Sequence, residues 1–243
     1  MIELVIEQRR RDLGGFEVGR VLSFAKRRMV GPFVFFDHMG PVGLATLTYL
    51  FEGEIMHRDS VGSEQGIQPG EVNWMIAGRG ITHSERFERA RREGGRMNGI
   101  QAWVALPTEH EETDPSFAHH AAAELPIFKQ RGARARLIAG EAMGARLPTE
   151  RASRRPTIPS APPMSPPGRP VLFTAAGPAV LMLLGGEPVG ERFIDWNFVS
   201  SSKERIAQAK ADWRAGRMKL PDLDNGESIP LAPEPGAPAN PMS

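Results

Sequence analysis

The chain has no cysteine among its 243 residues, which excludes disulfides and thiolate metal sites. It has no excess of either charge: 30 Lys and Arg stand against 29 Asp and Glu, a net charge of +1. That balance gives no electrostatic footing for direct contact with nucleic acid or an anionic membrane. No apolar run nears the ~20 residues that a bilayer-spanning helix needs. The opening Met1-Ile2-Glu3-Leu4-Val5-Ile6-Glu7 carries acids inside its apolar stretch and no basic start, unlike a secretory signal. A soluble cytoplasmic protein is the expectation, in a compartment that can be reducing. What is abundant is glycine (26) and proline (22), a composition that favours turn-rich β structure over a helical bundle.

Along residues 1–106 the pattern predicts short strands with closely spaced turns. Residues 2–7 partly alternate, 16–24 and 32–36 read as strands, and 44–51 is rich in β-branched and aromatic types. Glu52-Gly53 marks a tight turn, after which 54–58 is expected to return antiparallel. Gln68-Pro69-Gly70-Glu71 places proline and glycine where a turn needs preset and positive φ. Strands at 72–76, around His83 and at 100–106 follow, with Trp74 and Trp103 expected in the core. Such a series suggests an all-β sandwich or small barrel.

Beyond residue 106 the signals thin out. Asp114-Pro115 has the form of an N-cap and first helical residue, predicting a short helix over 116–123 that includes His119 and His120. Residues 127–139 predict one or two strands. From 147 to 178 there are nine prolines, and Glu150 is the lone acid. Proline removes donors and breaks both regular structures, so 147–170 is expected to be irregular. A short apolar strand is predicted at 179–184 and a helix over 200–217. In that helix Ser201-x-x-Glu204 is a capping box, Ile206, Ala209, Lys210 and Trp213 share a face, and Gly216 is the stop. The Pro- and acid-rich tail from Pro221 is expected to be flexible.

The chemistry-bearing motif is Gly78-Arg79-Gly80-Ile81-Thr82-His83-Ser84-Glu85. A His-x-Glu on a strand sends both side chains to one face, because strand side chains alternate with period two. An imidazole beside a carboxylate next to a glycine-rich turn is half of a non-haem metal site; a buried His paired to a carboxylate, or a surface strand, is its alternative. Arg79, between two glycines, reads as a turn residue bracing the adjacent loop. The 86–96 run alternates arginines with Glu88 and Glu93 and reads as a solvated loop.

Several strings carry a family resemblance. They are Gly31-Pro32-Phe33-Val34-Phe35-Phe36-Asp37-His38-Met39-Gly40-Pro41, Leu47-Thr48-Tyr49-Leu50-Phe51-Glu52-Gly53-Glu54 with His57-Arg58-Asp59-Ser60, the stretch from Gln68 to Glu85, and Gln101-Ala102-Trp103-Val104-Ala105-Leu106-Pro107. Together they resemble the pirin family over most of residues 1–140. Trp196-Asn197-Phe198-Val199-Ser200-Ser201-Ser202 and the following helix resemble the end of bacterial pirin-like proteins.

The resemblance implies a bicupin: two double-stranded β-helix (jelly-roll) barrels in tandem. It implies an N-terminal cupin domain over 1–140, a Pro-rich irregular segment over 141–178, a remnant of the C-terminal cupin with its α-helix over 179–220, and a flexible tail over 221–243. Fewer predicted strands than a barrel needs make that second barrel degenerate, with family-like sequence resuming near Leu181. A reading-frame disruption in a GC-rich gene would produce an insert of this kind.

The resemblance also implies one mononuclear metal, Fe(2+) or another divalent ion, and dioxygenation of a flavonol such as quercetin. Of the family's four ligands, His83 and Glu85 are matched, and Glu85 doubles as the catalytic base. The other two come from a His-Pro-His segment, where this chain runs from Met39-Gly40-Pro41-Val42 directly into Gly43. Loss of those histidines is expected to impair metal binding and turnover. His38 is the candidate substitute ligand, with a rim turn residue as its alternative; His57 matches a family histidine that is not a ligand. A small aromatic or flavonol substrate and a protein partner are the partners implied. A non-catalytic cupin scaffold or regulatory interaction module is the rival function.

Overall fold

The computed structural model describes residues 9–12, 17–20, 33–35, 43–130, 133–142, 145–146 and 176–231. The elements run β1 (Arg9–Asp12), β2 (Glu17–Arg20), β3 (Phe33–Phe35), β4 (Leu44–Glu52), β5 (Ile55–Asp59), β6 (Glu64–Ile67), β7 (Val72–Ile76) and β8 (His83–Arg86). Then come α1 (Glu88–Glu93), β9 (Asn98–Ala105), a 3-10 turn at Thr108–His110, β10 (Ser116–His120), β11 (Ile127–Gln130) and β12 (Ala133–Arg136). The chain continues with β13 (Glu141–Ala142), β14 (Ala145–Arg146), β15 (Phe193–Asp195), β16 (Phe198–Ser200) and α2 (Lys203–Arg214).

Two antiparallel sheets organise the N-terminal part. One has the order β10-β7-β4-β9-β3, the other β6-β5-β8. β4 is the central strand of the larger sheet and is buried on both faces over most of its length. Its odd-numbered face, Ala45 and Leu47, joins Val72, Trp74, Val104, Leu106 and Leu125 in the main apolar cluster. Its even-numbered face looks toward the smaller sheet. There Leu50 packs with Ile55 and Ile67, and Leu44 packs with Trp103 and Ala105. Burying side chains of this size stabilises by about 1.5–3 kcal/mol each.

Several expectations are corrected. Residues 54–58 do not return beside β4. The chain leaves that sheet at Gly53, and β5 pairs with β6 and β8 instead. The reason is burial: Ile55, His57 and Asp59 alternate with outward residues, and only the second sheet gives that face a covered side. Residues 116–120 form β10, not a helix. The open edge of β7 offers a full ladder from Ser116↔Ile76 to His120↔Val72, and this overrides the Asp-Pro helix signal. Residues 179–184 form no strand, because they join no ladder with any described residue, and Val180 is 84% exposed. The 86–96 run contains the short helix α1, which buries none of its residues. The segment 147–170 lies outside the described residues.

The C-terminal part is the β15–β16 hairpin followed by α2. Val199 joins Leu44, Trp103 and Ala105, seating the hairpin on the larger sheet. The contact is close: a Cβ on Gly43, at φ +73°, would lie 2.2 Å from the Val199 carbonyl oxygen. Helix α2 starts one residue later than the capping-box reading, with Ser202 as N-cap accepting from the Arg205 N–H. Ile206 and Ala209 bury its inner face against Phe198, and Gly216 at φ +64° ends it. Residues of the tail read as flexible, up to 231, lie against β8. Arg86 donates to both oxygens of Asp224, and Trp213 Nε1 donates to the Ile229 carbonyl.

Candidate active site

The even-numbered face of β4 and the matching faces of β7, β9 and β10 meet the inner face of β5 and β8. The register brings Thr48 opposite Gln101 and Asn73, and Asn73 opposite His119. On the facing sheet His57 stands opposite Glu85, and Asp59 opposite His83. Polar side chains thus converge between two apolar layers, where each needs a partner.

Glu85 is buried and bridges the sheets. Gln101 Nε2 donates to its two carboxylate oxygens at 3.0 and 2.9 Å, and Thr48 Oγ1 donates to Oε1 at 3.4 Å. The His57 ring stacks on His83, with centroids 5.5 Å apart, and on Phe117, at 4.3 Å. Both ring nitrogens of His83 are sealed from solvent. His57 Nε2 lies 3.0 Å from Asp59 Oδ2 in a fully buried pair. Asp59 Oδ1 accepts from the Val61 and Ser63 N–H groups. Burial alone would push the Asp59 carboxyl up. The hydrogen bonds from His57 and Ser63 overcome that and hold it below the usual range, so it is a carboxylate at neutral pH. Nearby, His119 Nδ1 lies 2.8 Å from Asn73 Oδ1, and burial lowers the pKa of His120.

Divalent ions in proteins are generally held by three or more protein ligands. The described residues contain no group of three or more His, Asp or Glu placed to close on one ion. Of the side chains on the inner face, Glu85 is bonded by the Gln101 amide and His57 by Asp59. This donor set does not fit a closed mononuclear site.

The two sheets bring His83 and Glu85 together on β8, facing the interior. His38 lies outside the described residues. His119 and His120 sit on β10, and only His119 is on the inward face. Arg79 pairs with Asp114 at the turn, and its carbonyl accepts from Arg205 Nη2 at 2.6 Å. Trp74 and Trp103 are buried. Sequence reasoning missed Thr48, Gln101 and the His57–Asp59 pair as parts of this site. The signal was available in the strand alternation, since Thr46 and Thr48 are polar residues on a buried face of a strand.

Two facing antiparallel sheets around a polar interior define a cupin-type β-barrel protein. Of solved structures, one described as quercetin 2,3-dioxygenase from Acinetobacter baumannii superposes with a TM-score of 0.71, covering 96% of this chain and 95% of that chain at 22% identity. Residues 42–104 match the Pirin family and residues 164–219 the Pirin C-terminal cupin domain. A pirin-like protein of Caulobacter vibrioides is 55% identical over 286 residues, covering 95% of this chain and 99% of the relative. A Pseudomonas aeruginosa protein, provisionally named a quercetin 2,3-dioxygenase, is 32% identical over 91% of this chain and 86% of its own length. The chain belongs to the pirin family.

Two details of the matches bear on the sequence reading. Similarity to the C-terminal cupin domain begins at residue 164, upstream of the Leu181 inferred from composition. The alignment with the Caulobacter relative runs over 286 positions, more than the 243 residues of this chain, so that relative carries segments with no counterpart here. Relatives of the quercetin-dioxygenase type point to a metal cofactor in the family.

Proposed function

We propose that this chain is a pirin-like cupin protein in which a metal-dependent, quercetin 2,3-dioxygenase-type activity is impaired. The observation that carries the reading is the state of Glu85. It lies in the barrel interior beside His83, yet its carboxylate is bonded by Gln101 and Thr48 rather than placed among a third and fourth ligand. In a competent relative a divalent metal, iron or another, would supply Lewis acidity toward a flavonol hydroxyl. Here His83 and Glu85 are the candidate ligands, and Glu85 is the candidate base for that hydroxyl proton. Two ligands leave an ion mostly hydrated and readily lost.

The test is metal analysis and quercetin turnover on the purified chain, beside a chain with His-Pro-His inserted between Val42 and Gly43. The chain as it stands should lose added iron on dialysis and turn over quercetin poorly. The repaired chain should retain the metal, and Glu85→Ala in it should abolish turnover. Robust turnover by the unrepaired chain, lost on His38→Ala, would sink the reading and make His38 a recruited ligand. The rival, a non-catalytic scaffold, is favoured by the docking of residues 217–231 over β8, which gives the barrel a protein-covered wall. It is distinguished by a repaired chain that binds metal and still fails to turn over quercetin.

A further inference from the structure

The tail that follows α2 crosses β8, the edge strand of the smaller sheet. Between the two lies a half-open cavity of about 280 Å³. His83 and Glu85 line it from the barrel side, and Met218, Leu220, Pro221 and Ile229 line it from the tail. The cavity is the mouth of the candidate site, and residues 217–231 form its outer wall.

Charge, more than apolar contact, holds that wall in place. Residues 217–231 contain no helix or strand, and Pro221 is the one buried residue among them. Leu223 and Ile229 are exposed. Arg86 Nε and Nη2 donate to the two oxygens of Asp224 at 2.6 and 2.8 Å, and Nη1 donates to Glu227. Arg58 lies on the same face of the sheet, but Glu64 and Glu88 already accept from it, so Arg86 is the cation that serves the tail's acids. Two further hydrogen bonds reach tail carbonyls, from Thr82 Oγ1 to Lys219 and from Trp213 Nε1 to Ile229.

Such a wall can leave without disturbing the barrel. Glu227 is largely exposed, so water and salt compete for its bond to Arg86. At the upstream end Gly216 has φ +64°, and a Cβ there would meet nothing within 4 Å, so the chain has room to turn. A segment with few buried apolar contacts opens locally at a small fraction of the cost of unfolding.

We propose that residues 217–231 are a strap across the mouth of the candidate site, latched to β8 by the bonds from Arg86 to Asp224 and Glu227. Latched, the strap restricts access of solutes to His83 and Glu85. Competing salt releases it and opens the site. The inference rests on the reading of His83 and Glu85 as the candidate site.

The test is the rate at which diethyl pyrocarbonate modifies each histidine of the full chain at neutral pH, mapped by mass spectrometry. Both ring nitrogens of His83 are sealed from solvent with the strap in place. Asp224→Asn with Glu227→Gln removes the latch and should speed His83 modification about fivefold, the worth of two screened ion pairs. The unaltered chain should show the same rise with no substitution at all, as salt goes from about 0.01 M to about 1 M and the Debye length falls from about 30 Å to about 3 Å. The latch-free variant should then respond little to salt. His120, buried on β10 on the opposite face of the larger sheet, reports whether the barrel itself has loosened, and its rate should not change. A His83 rate indifferent both to salt and to loss of the latch would overturn the strap, and so would His83 and His120 rising together. Failure of the repaired chain to hold metal would sink the proposed function instead and leave these rates as they are.

Discussion

Replacing Arg192 with methionine should undock the C-terminal hairpin from the barrel. Arg192 and Glu111 form a buried ion pair, Nε to Oε1 at 2.6 Å, with side chains 1% and 6% exposed. Its N–H is not aimed along that contact, so the pair acts through charge proximity rather than a well-directed hydrogen bond. The guanidinium also donates to the Leu106 carbonyl at 2.7 Å and to Thr108 Oγ1 at 3.3 Å. Glu111 accepts from Ser200 Oγ, from the Ser201 N–H and from Ser201 Oγ, at 2.9–3.1 Å. Removing one partner of a buried pair costs about 3–5 kcal/mol, because the other charge is left desolvated. The serine donors still serve Glu111, which places the expected loss near the lower end, about 3 kcal/mol. Urea denaturation at pH 7, followed by tryptophan fluorescence, measures it. The double variant Arg192→Met with Glu111→Leu should recover part of the loss, since no buried charge then remains. A loss below about 1 kcal/mol for Arg192→Met would refute the reasoning, because that is the range of a solvent-screened pair.

Three further outcomes follow from the geometry. Gly78→Ala should destabilise strongly, since φ is +51° and a Cβ would lie 2.0 Å from the Thr113 carbonyl oxygen; a thermal melt checks it, and an unchanged midpoint refutes it. Ser202→Ala should cost about 1 kcal/mol by removing the acceptor for the Arg205 N–H, read from denaturant midpoints. The hydrogen bond from Arg86 holds the Asp224 carboxyl below its ordinary value of 3.8, so its contribution is present above that value and is lost as pH falls through the lower folded-state pKa. Amide exchange over residues 217–231 should therefore stay slow from pH 7 to 5 and quicken, relative to the intrinsic rate, at more acid pH; Asp224→Asn should remove that acid step.

The local sequence determined much of this protein. The Gln68–Glu71 turn forms with Gly70 at φ +87° and the Glu71 N–H donating to the Gln68 carbonyl, because proline and glycine preset those angles. The strand at 72–76 follows from its apolar run. Period-two alternation alone puts His83 and Glu85 on one face. The family, too, is carried by contiguous strings of residues. What only the tertiary structure decided is pairing between distant segments. The Asp114-Pro115 signal argues for a helix, but β7 has an unpaired edge, and a ladder along that edge satisfies more backbone groups than an isolated short helix. Gly53 ends one strand without saying which sheet receives the next; the covered face for Ile55, His57 and Asp59 decides that. The partners of Glu85 lie 37 residues before it and 16 after it, so no local pattern reveals that Thr48 and Gln101 hold its carboxylate. The docked tail is the extreme case. Arg86 and Asp224 are 138 residues apart, and a tail whose composition reads as loose packs against the barrel because β8 presents a cation to its acids.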